Sequence, residues 1–126
     1  MTNTQQQRSA VGRYGEDVAV RHLTENGLEV LARNWRCDLG EIDVVARDGS
    51  TMVVCEVKTR RGLDYGTPLE AVTARKMARL RRLAARWLAE WVAESWEHPP
   101  EIRIDVVSVL VRRQGGAMVE HLRGVA

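Results

Sequence analysis

EIDVVARDGSTMVVCEVKT, residues 41–59, decides the fold. It contains two valine-rich runs, Glu41 to Arg47 and Thr51 to Thr59, whose composition is typical of β-strands. Asp48-Gly49 lies between them and is a strong signal for a two-residue hairpin turn. The valines are too numerous for either face of this hairpin to be exposed. The stretch therefore predicts an antiparallel hairpin that is covered on both faces.

The sequence before the hairpin predicts a helix and a strand. Ser9 can cap the helix, and Gly27 stands where a C-terminal glycine belongs. Leu28 to Trp35 then has the composition of a strand. Residues 1–8 are polar and rich in glutamine, so we expect a disordered leader there.

The sequence after the hairpin predicts a second helix. Thr67-Pro68-Leu69-Glu70 has the form of a capping box with proline at the first helical position. The helix is either continuous from this point or begins again at a second cap, Thr73. It continues to about Glu97, because Pro99-Pro100 forbids continuation.

Two further strands follow the second helix. Ile102 to Val111 is an apolar strand, Gln114-Gly115-Gly116 a turn, and Ala117 to Leu122 a short final strand. The order of helix, three strands, helix and one or two strands is typical of an α/β sandwich around a mixed sheet. A chain of 126 residues has room for one core, so we expect residues 9–126 to form a single domain.

Composition excludes several classes of protein. No apolar run approaches the roughly 18 residues of a membrane span, and no apolar signal core stands near the N-terminus, so we expect a cytoplasmic protein without a membrane partner. Cys37 and Cys55 are predicted to be plain buried thiols, and the histidine spacing does not favour zinc. The formal net charge of +2 does not by itself indicate nucleic-acid binding.

Charged residues interrupt the hairpin in a pattern that suggests a site. Alternation places Met52, Val54, Glu56 and Lys58 on one face of the second run. A turn at Asp48-Gly49 would pair Val45 with Met52, which puts Asp43 diagonal to Glu56 on that face, roughly 7–8 Å away. Glu41 and Val45 would share the face of Asp43, opposite Ile42 and Val44.

Two carboxylates and a lysine in this arrangement suit metal-dependent phosphodiester cleavage. Asp43 and Glu56 offer the oxygen ligands that Mg²⁺ or Mn²⁺ prefers, and Lys58 can orient the attacking water or neutralise developing charge. Only two of the 19 basic residues are lysines, which makes a lysine at this position informative. The alternative is a surface hairpin whose charges pair across the strands for at most about 1 kcal/mol.

Glu16 is a fourth candidate. It continues the apolar stripe of Ala19, Val20 and Leu23 on the first helix, where a carboxylate costs free energy unless it is compensated. The alternative is that Glu16 only favours the positive end of that helix.

The second helix carries separate apolar and basic stripes. Its predicted core face consists of Met77, Leu80, Leu83, Ala84, Trp87, Leu88 and Trp91. Its basic stripe, with Lys76 beside it, consists of Arg75, Arg79, Arg82 and Arg86. Cations in the N-terminal half of a helix oppose its dipole, so helix stability does not explain the stripe. Phosphate binding would explain it, and a solvated arginine-rich face is the alternative.

These motifs resemble a known superfamily. Gly40-Glu41-Ile42-Asp43 followed by Cys55-Glu56-Val57-Lys58-Thr59-Arg60 is similar to the PD-(D/E)XK, or restriction-endonuclease-like, nucleases, although Ile42 replaces the proline of the strict pattern. The closer resemblance is to the YraN-like group of small bacterial proteins. Its pattern continues in three other segments: Gly12-Arg13-Tyr14-Gly15-Glu16, Thr67-Pro68-Leu69-Glu70-Ala71-Val72 and Arg103-Ile104-Asp105-Val106-Val107.

The resemblance implies a fold and roles for individual residues. The implied fold is a restriction-endonuclease-like three-layer sandwich, a mixed central sheet flanked by helices. Asp43 and Glu56 look like metal ligands and Lys58 like the catalytic lysine, while Glu16 matches the first-helix glutamate of Holliday-junction-resolvase-like members. Arg60, within the second motif, joins the basic stripe as a candidate nucleic-acid contact.

Three functions fit the sequence. The first is a Mg²⁺- or Mn²⁺-dependent endonuclease acting on DNA, or less readily RNA, with branched DNA and a homodimer as hypotheses by analogy with junction resolvases. The second is a non-catalytic nucleic-acid-binding module on a nuclease fold. The third is a protein-interaction component with vestigial acids.

Overall fold

The structure, a computed structural model, describes residues 9–62, 73–99 and 101–125. The described chain forms helices α1 (Ala10–Glu25) and α2 (Ala74–Ser95) and strands β1 (Glu29–Cys37), β2 (Gly40–Asp48), β3 (Thr51–Arg61), β4 (Glu101–Val111) and β5 (Met118–Leu122). The predicted order of elements is confirmed. The predicted leader, residues 1–8, and the predicted capping box, residues 67–70, lie outside the described residues.

The five strands form one mixed open sheet in the order β1-β2-β3-β4-β5. Neighbouring strands are antiparallel except for β3 and β4, which are parallel. Parallel neighbours require a crossover connection, and α2 lies in the connection between these two strands. The predicted α/β architecture around a mixed sheet is therefore confirmed.

One helix packs on each face of the sheet. The apolar stripe of α2, from Met77 to Trp87, shares a buried cluster with Val45 and Val54. The apolar side of α1 shares a second buried cluster with the adjacent strand residue Val44. Successive strand residues point to opposite faces, so the hairpin has an apolar layer on each side, as its valine content predicts. In the described ranges, neither helix combines the length and apolarity needed to span a membrane.

The helix ends follow their sequence signals. Ser9 caps α1, its hydroxyl accepting a hydrogen bond from the Gly12 N–H at 3.0 Å. Thr73 caps α2 in the same way through the Lys76 N–H at 3.1 Å, which selects the second of the two predicted starts. At its other end α2 stops at Trp96, whose φ of 63° is left-handed, just before the proline pair.

The predicted register of the hairpin was wrong by two residues. Asp48 pairs with Thr51, so the turn consists of Gly49 and Ser50, and Val45 pairs with Val54. Primed hairpin turns need a positive φ at their first central residue, and Gly49 supplies it with a φ of 62°. A shift of two residues does not by itself move a side chain to the other face of the sheet.

A buried ionic cluster joins β4 to β5 and to the end of the described chain. Asp105 is fully buried and accepts hydrogen bonds from Arg103 Nε and from the Gly124 N–H, both at 2.9 Å. His121 Nε2 lies 2.8 Å from its other oxygen. Burial raises the pKa of Asp105, but the hydrogen bonds from His121, Arg103 and Gly124 outweigh it and hold the pKa below its ordinary value.

We expect Asp105→Ala to lower the free energy of unfolding by about 3–5 kcal/mol, because it removes the buried carboxylate that Arg103, His121 and the Gly124 N–H share. Urea denaturation at pH 7 measures this loss. Because the pKa of Asp105 is depressed on folding, its contribution is present above the unfolded pKa of about 3.9 and disappears as the pH falls through the lower folded pKa. Glu120→Ala, on the exposed side of β5, serves as the control and should change stability by less than about 0.5 kcal/mol. Equal effects of the two substitutions would contradict this role of Asp105.

Candidate functional site

The hairpin brings Asp43 and Glu56 together where its ladder ends. The last paired residues are Val44 and Cys55, and Asp43 and Glu56 stand one step further along. Asp43 Oδ2 accepts a hydrogen bond from the Val57 N–H at 2.8 Å, so a side chain replaces the backbone acceptor that a continuing ladder would supply. The two acids are therefore neighbours across the strands rather than diagonal, as the corrected register requires.

Side-chain alternation breaks at this point of β2. Ile42 packs in the α2-side cluster with Val45, whereas Val44 packs in the α1-side cluster. The prediction that Ile42 and Val44 share a face was therefore wrong. On β1, Asn34 lies opposite Asp43 and has a left-handed backbone with a φ of 54°. Both strands depart from regular geometry at the position of Asp43.

A recess of about 220 Å³ opens beside this irregularity. It is lined by Gly12, Glu16, Asp43, Val57, Lys58 and Thr59. Three of the four predicted catalytic residues thus meet in one place. The close approach of α1 to β3 depends on Gly15, because a Cβ there would collide with the Thr59 side chain.

Glu16 is buried and held by neighbours on β1. It is 3% exposed, and its Oε1 accepts hydrogen bonds from Arg33 Nη2 and Asn34 Nδ2, both at 2.9 Å. Arg33 also pairs with Asp17 at 2.7 Å. A preference for the helix terminus therefore does not explain Glu16, which faces the sheet as its stripe predicts. Sequence reasoning missed Arg33 and Asn34, and their only signal was two polar residues within an apolar run.

Asp43 is strongly perturbed. Burial raises its pKa to about 7, and repulsion by Glu56, Glu16 and Glu41 acts in the same direction. The hydrogen bond from Val57 opposes this rise without cancelling it. A carboxyl group whose pKa is close to 7, surrounded by other carboxylates, is typical of functional sites. A bound cation would stabilise its ionised form.

Glu56 has a different neighbourhood. Its Oε2 lies 2.8 Å from Lys76 Nζ on α2, and the two side chains are 13% and 24% exposed. Within residues 9–62, 73–99 and 101–125, no three acidic, histidine or cysteine side chains are grouped so that they could hold one metal ion. The predicted set of Asp43, Glu56 and Glu16 is therefore not gathered around one point. Two of its members are paired with cations instead, Glu56 with Lys76 and Glu16 with Arg33.

The basic stripe of α2 is partly engaged within the protein. Arg86 pairs with Asp38 at 2.6 Å, and Lys76 pairs with Glu56. Arg75 and Arg82 are exposed, while Arg79 is half-buried. Arg60 lies half-buried on β3. Ion pairs with Asp38 and Glu56 therefore explain part of the positive charge on α2 that helix stability does not explain.

The tryptophans and cysteines mostly follow their predictions. Trp87 is buried in the core, and Trp91 stacks on it with ring centroids 5.2 Å apart. Trp96, which was not part of the predicted core face, is 87% exposed. Cys55 is buried, and burial raises the pKa of its thiol, whereas Cys37 is only half-buried.

Fold and site together define a small α/β protein with a helix on each face of an open mixed sheet and an acid-and-lysine recess between α1 and the central hairpin. The model of the family described as "Uncharacterised protein family UPF0102" matches residues 15–109. The chain belongs to this family.

Relatives from several bacteria match nearly the whole chain. A UPF0102 protein of Kineococcus radiotolerans is 60% identical over 119 residues, covering 94% of this chain and 95% of the relative. One from Beutenbergia cavernae is 63% identical over 118 residues, covering 94% and 97%. One from Acidothermus cellulolyticus is 52% identical over 130 residues, covering 98% of each chain.

We expect Asp43→Asn to stabilise the metal-free protein at pH 8. The pKa of Asp43 is raised on folding, so the stability of the wild type falls as the pH rises from about 4 to about 7. Asparagine keeps an acceptor for the Val57 N–H but carries no charge, so the gain should be on the order of 1 kcal/mol. Urea denaturation in EDTA at pH 8 and pH 4 measures it, and the gain should vanish at pH 4. A loss of stability at pH 8 would show that the ionised carboxylate is well compensated.

Asn34 provides a separate test of the local geometry. Asn34→Ala removes the amide and places an alanine in the left-handed region. Alanine cannot make the local hydrogen bonds that help asparagine adopt this conformation, so the cost should be about 1–2 kcal/mol. Asn34→Gly removes the same amide without that strain, so it should be the more stable variant by about 1 kcal/mol. Thermal unfolding of both proteins gives the difference. Equal stabilities would mean that β1 relaxes out of the left-handed conformation.

Proposed function

We propose that this protein is a metal-dependent phosphodiesterase of the PD-(D/E)XK type, with a restriction-endonuclease-like fold, that cleaves DNA or structured nucleic acid. The observation that carries the proposal is the convergence of Glu16, Asp43 and Lys58 on one recess, with Glu56 beside Asp43. The raised pKa of Asp43 supports it, because a purely structural site has no need of an uncompensated acid.

The donor set fits Mg²⁺ or Mn²⁺. Mg²⁺ is usually held by one or two carboxylates together with water and phosphate oxygens, so Asp43 and Glu56 suffice without a closed cage of protein ligands. When bound, such an ion supplies positive charge beside the scissile phosphate and acidifies water. Glu16, fixed by Arg33 and Asn34, adds negative charge to the recess that favours a cation there.

Lys58 acts on the nucleophile and the phosphate. Lys58 is exposed and is one of the residues that line the recess with Asp43. From there its ammonium orients the attacking water or neutralises charge that develops on the phosphate oxygens. A lysine suits this role as a compact point charge on a flexible stem.

The exposed cations of α2 supply the contacts to the nucleic-acid backbone. Arg75 and Arg82 face solvent on the same helix that brings Lys76 to Glu56. Guanidinium groups bind phosphate electrostatically and do not read the base sequence. This contribution to binding should therefore weaken as the salt concentration rises. DNA is the preferred substrate in this proposal, with branched DNA and a homodimer as hypotheses that rest on analogy with junction resolvases.

A non-catalytic nucleic-acid-binding module is the second candidate. One observation favours it: Glu16 and Glu56 are both paired with cations of the same chain. Acids that serve only to hold the fold would be paired in this way. Asp43 forms no such ion pair with the part of the chain that the structure describes, and burial raises its pKa, which favours the enzyme.

We expect the purified protein to cleave at least one member of a panel of supercoiled plasmid, single-stranded, flapped and four-way-junction DNA in Mn²⁺ or Mg²⁺. Asp43→Ala and Lys58→Ala should each reduce the rate by roughly 100-fold or more, because each removes charge stabilisation made in the transition state. Glu120→Ala should cut at the wild-type rate. Light scattering on the same samples tests the dimer.

Two results would overturn the proposal. DNA binding without cleavage by the wild type in either metal, with an RNA panel equally intact, would favour the binding module. A protein that neither binds nor cuts would favour the protein-interaction component.

A further inference from the structure

One of the two lysines of the chain forms an ion pair with Glu56. The sequence contains Lys58 and Lys76 among 19 basic residues, the rest being arginine. Lys58 follows Glu56 by two positions on β3, and Lys76 reaches Glu56 from α2 with its Nζ 2.8 Å from Oε2. The two residues are far apart in sequence, and only the fold brings the second to Glu56.

The position of Lys76 on α2 is unfavourable for the helix itself. Lys76 lies in the first turn, where its N–H is capped by Thr73 and no acidic residue is present. The positive end of the helix dipole repels a cation at this position. The carboxylate of Glu56 on β3 provides the compensating charge that the helix lacks, so the ion pair couples the start of α2 to the acidic site.

A divalent ion at Asp43 and Glu56 would compete with Lys76. The ion pair is largely withdrawn from solvent, so an ammonium and a doubly charged ion on the same carboxylate would repel each other strongly. Any cation that holds Glu56 in the metal-free protein must therefore weaken the apparent affinity for the ion.

We propose that Lys76 is a positioning residue that holds Glu56 until a divalent ion binds and then turns to the phosphate of the substrate. This inference rests on the proposed function, because it assigns Lys76 a role at the same metal site. Once released from Glu56, the Lys76 ammonium and the positive end of the α2 dipole together favour an anion. Lys76 thereby differs from Arg75 and Arg82, which face solvent without an acid of the site beside them.

Mn²⁺ titration by isothermal calorimetry tests the inference without relying on cleavage. Lys76→Met, and Lys76→Gln as a second neutral variant, should bind Mn²⁺ about three- to five-fold more tightly than the wild type. This factor corresponds to the free energy of a partly exposed ion pair. Lys76→Arg should restore an affinity close to that of the wild type. Arg82→Met loses the same charge from the same helix, away from Glu56, and should leave Mn²⁺ affinity unchanged. Thermal unfolding in EDTA establishes that each variant is folded.

DNA affinity in Mn²⁺ should move in the opposite direction. Lys76→Met should weaken binding of the four-way junction about three- to five-fold, as the loss of one phosphate contact predicts. A residue that only stabilised the fold would not tighten metal binding while weakening DNA binding.

The outcomes separate this inference from the proposed function. If the wild type binds Mn²⁺ and cuts DNA, but both neutral variants bind Mn²⁺ no more tightly than it does, only the role of Lys76 is overturned. If the wild type never cuts DNA but both neutral variants bind Mn²⁺ more tightly than it does, the role of Lys76 is supported and the proposed nuclease activity is overturned. A wild type that binds no Mn²⁺ overturns both.

Discussion

The parallel pairing of β3 with β4 is the constraint on which the rest of the structure depends. It runs without a break from Thr51–Glu101 to Arg61–Val111, eleven residue pairs. A parallel pair cannot be closed by a tight turn, so the chain must cross over a face of the sheet, and α2 lies in that crossover. The crossover covers one face of β2 and β3 and sets the first turn of α2 beside Glu56. Without the parallel pair, neither the second layer nor the Lys76–Glu56 contact would form.

The site occupies the place where the regular rules of the sheet stop. Asp43 uses its side chain on the Val57 N–H, and Asn34 opposite it adopts a left-handed backbone. Such departures cost free energy and persist only where the surroundings hold them. Here the surroundings are the α1 layer, which approaches closely at Gly15 and presents Glu16 to Asn34. The irregular stretches of β1 and β2 therefore lie at the acidic recess and are held by the same helix, α1.

Local signals in the sequence predicted the elements and their ends well. The caps at Ser9 and Thr73 and the two-sided valine hairpin all appear where composition and spacing put them. The hairpin register was missed because Asp-Gly and Gly-Ser are both acceptable turns, and neighbouring residues do not decide between them. The break in alternation at Ile42 was missed because it accompanies a hydrogen bond from the Val57 N–H to the Asp43 side chain, which hydrophobic periodicity cannot reveal. The partners of Glu16 and Glu56 lie on other elements, so only the assembled fold identifies them.

The three acids of the site are compensated unequally, and this inequality is the best physical reason to assign them a function. Arg33 and Asn34 hold Glu16, and Lys76 holds Glu56. The pKa of Asp43, in contrast, rises to about 7 because burial and its acidic neighbours outweigh the hydrogen bond from Val57. An asparagine would make that hydrogen bond without the electrostatic cost, so stability does not explain an aspartate at this position. Proteins keep residues that lower stability where activity requires them. A bound cation would remove this cost.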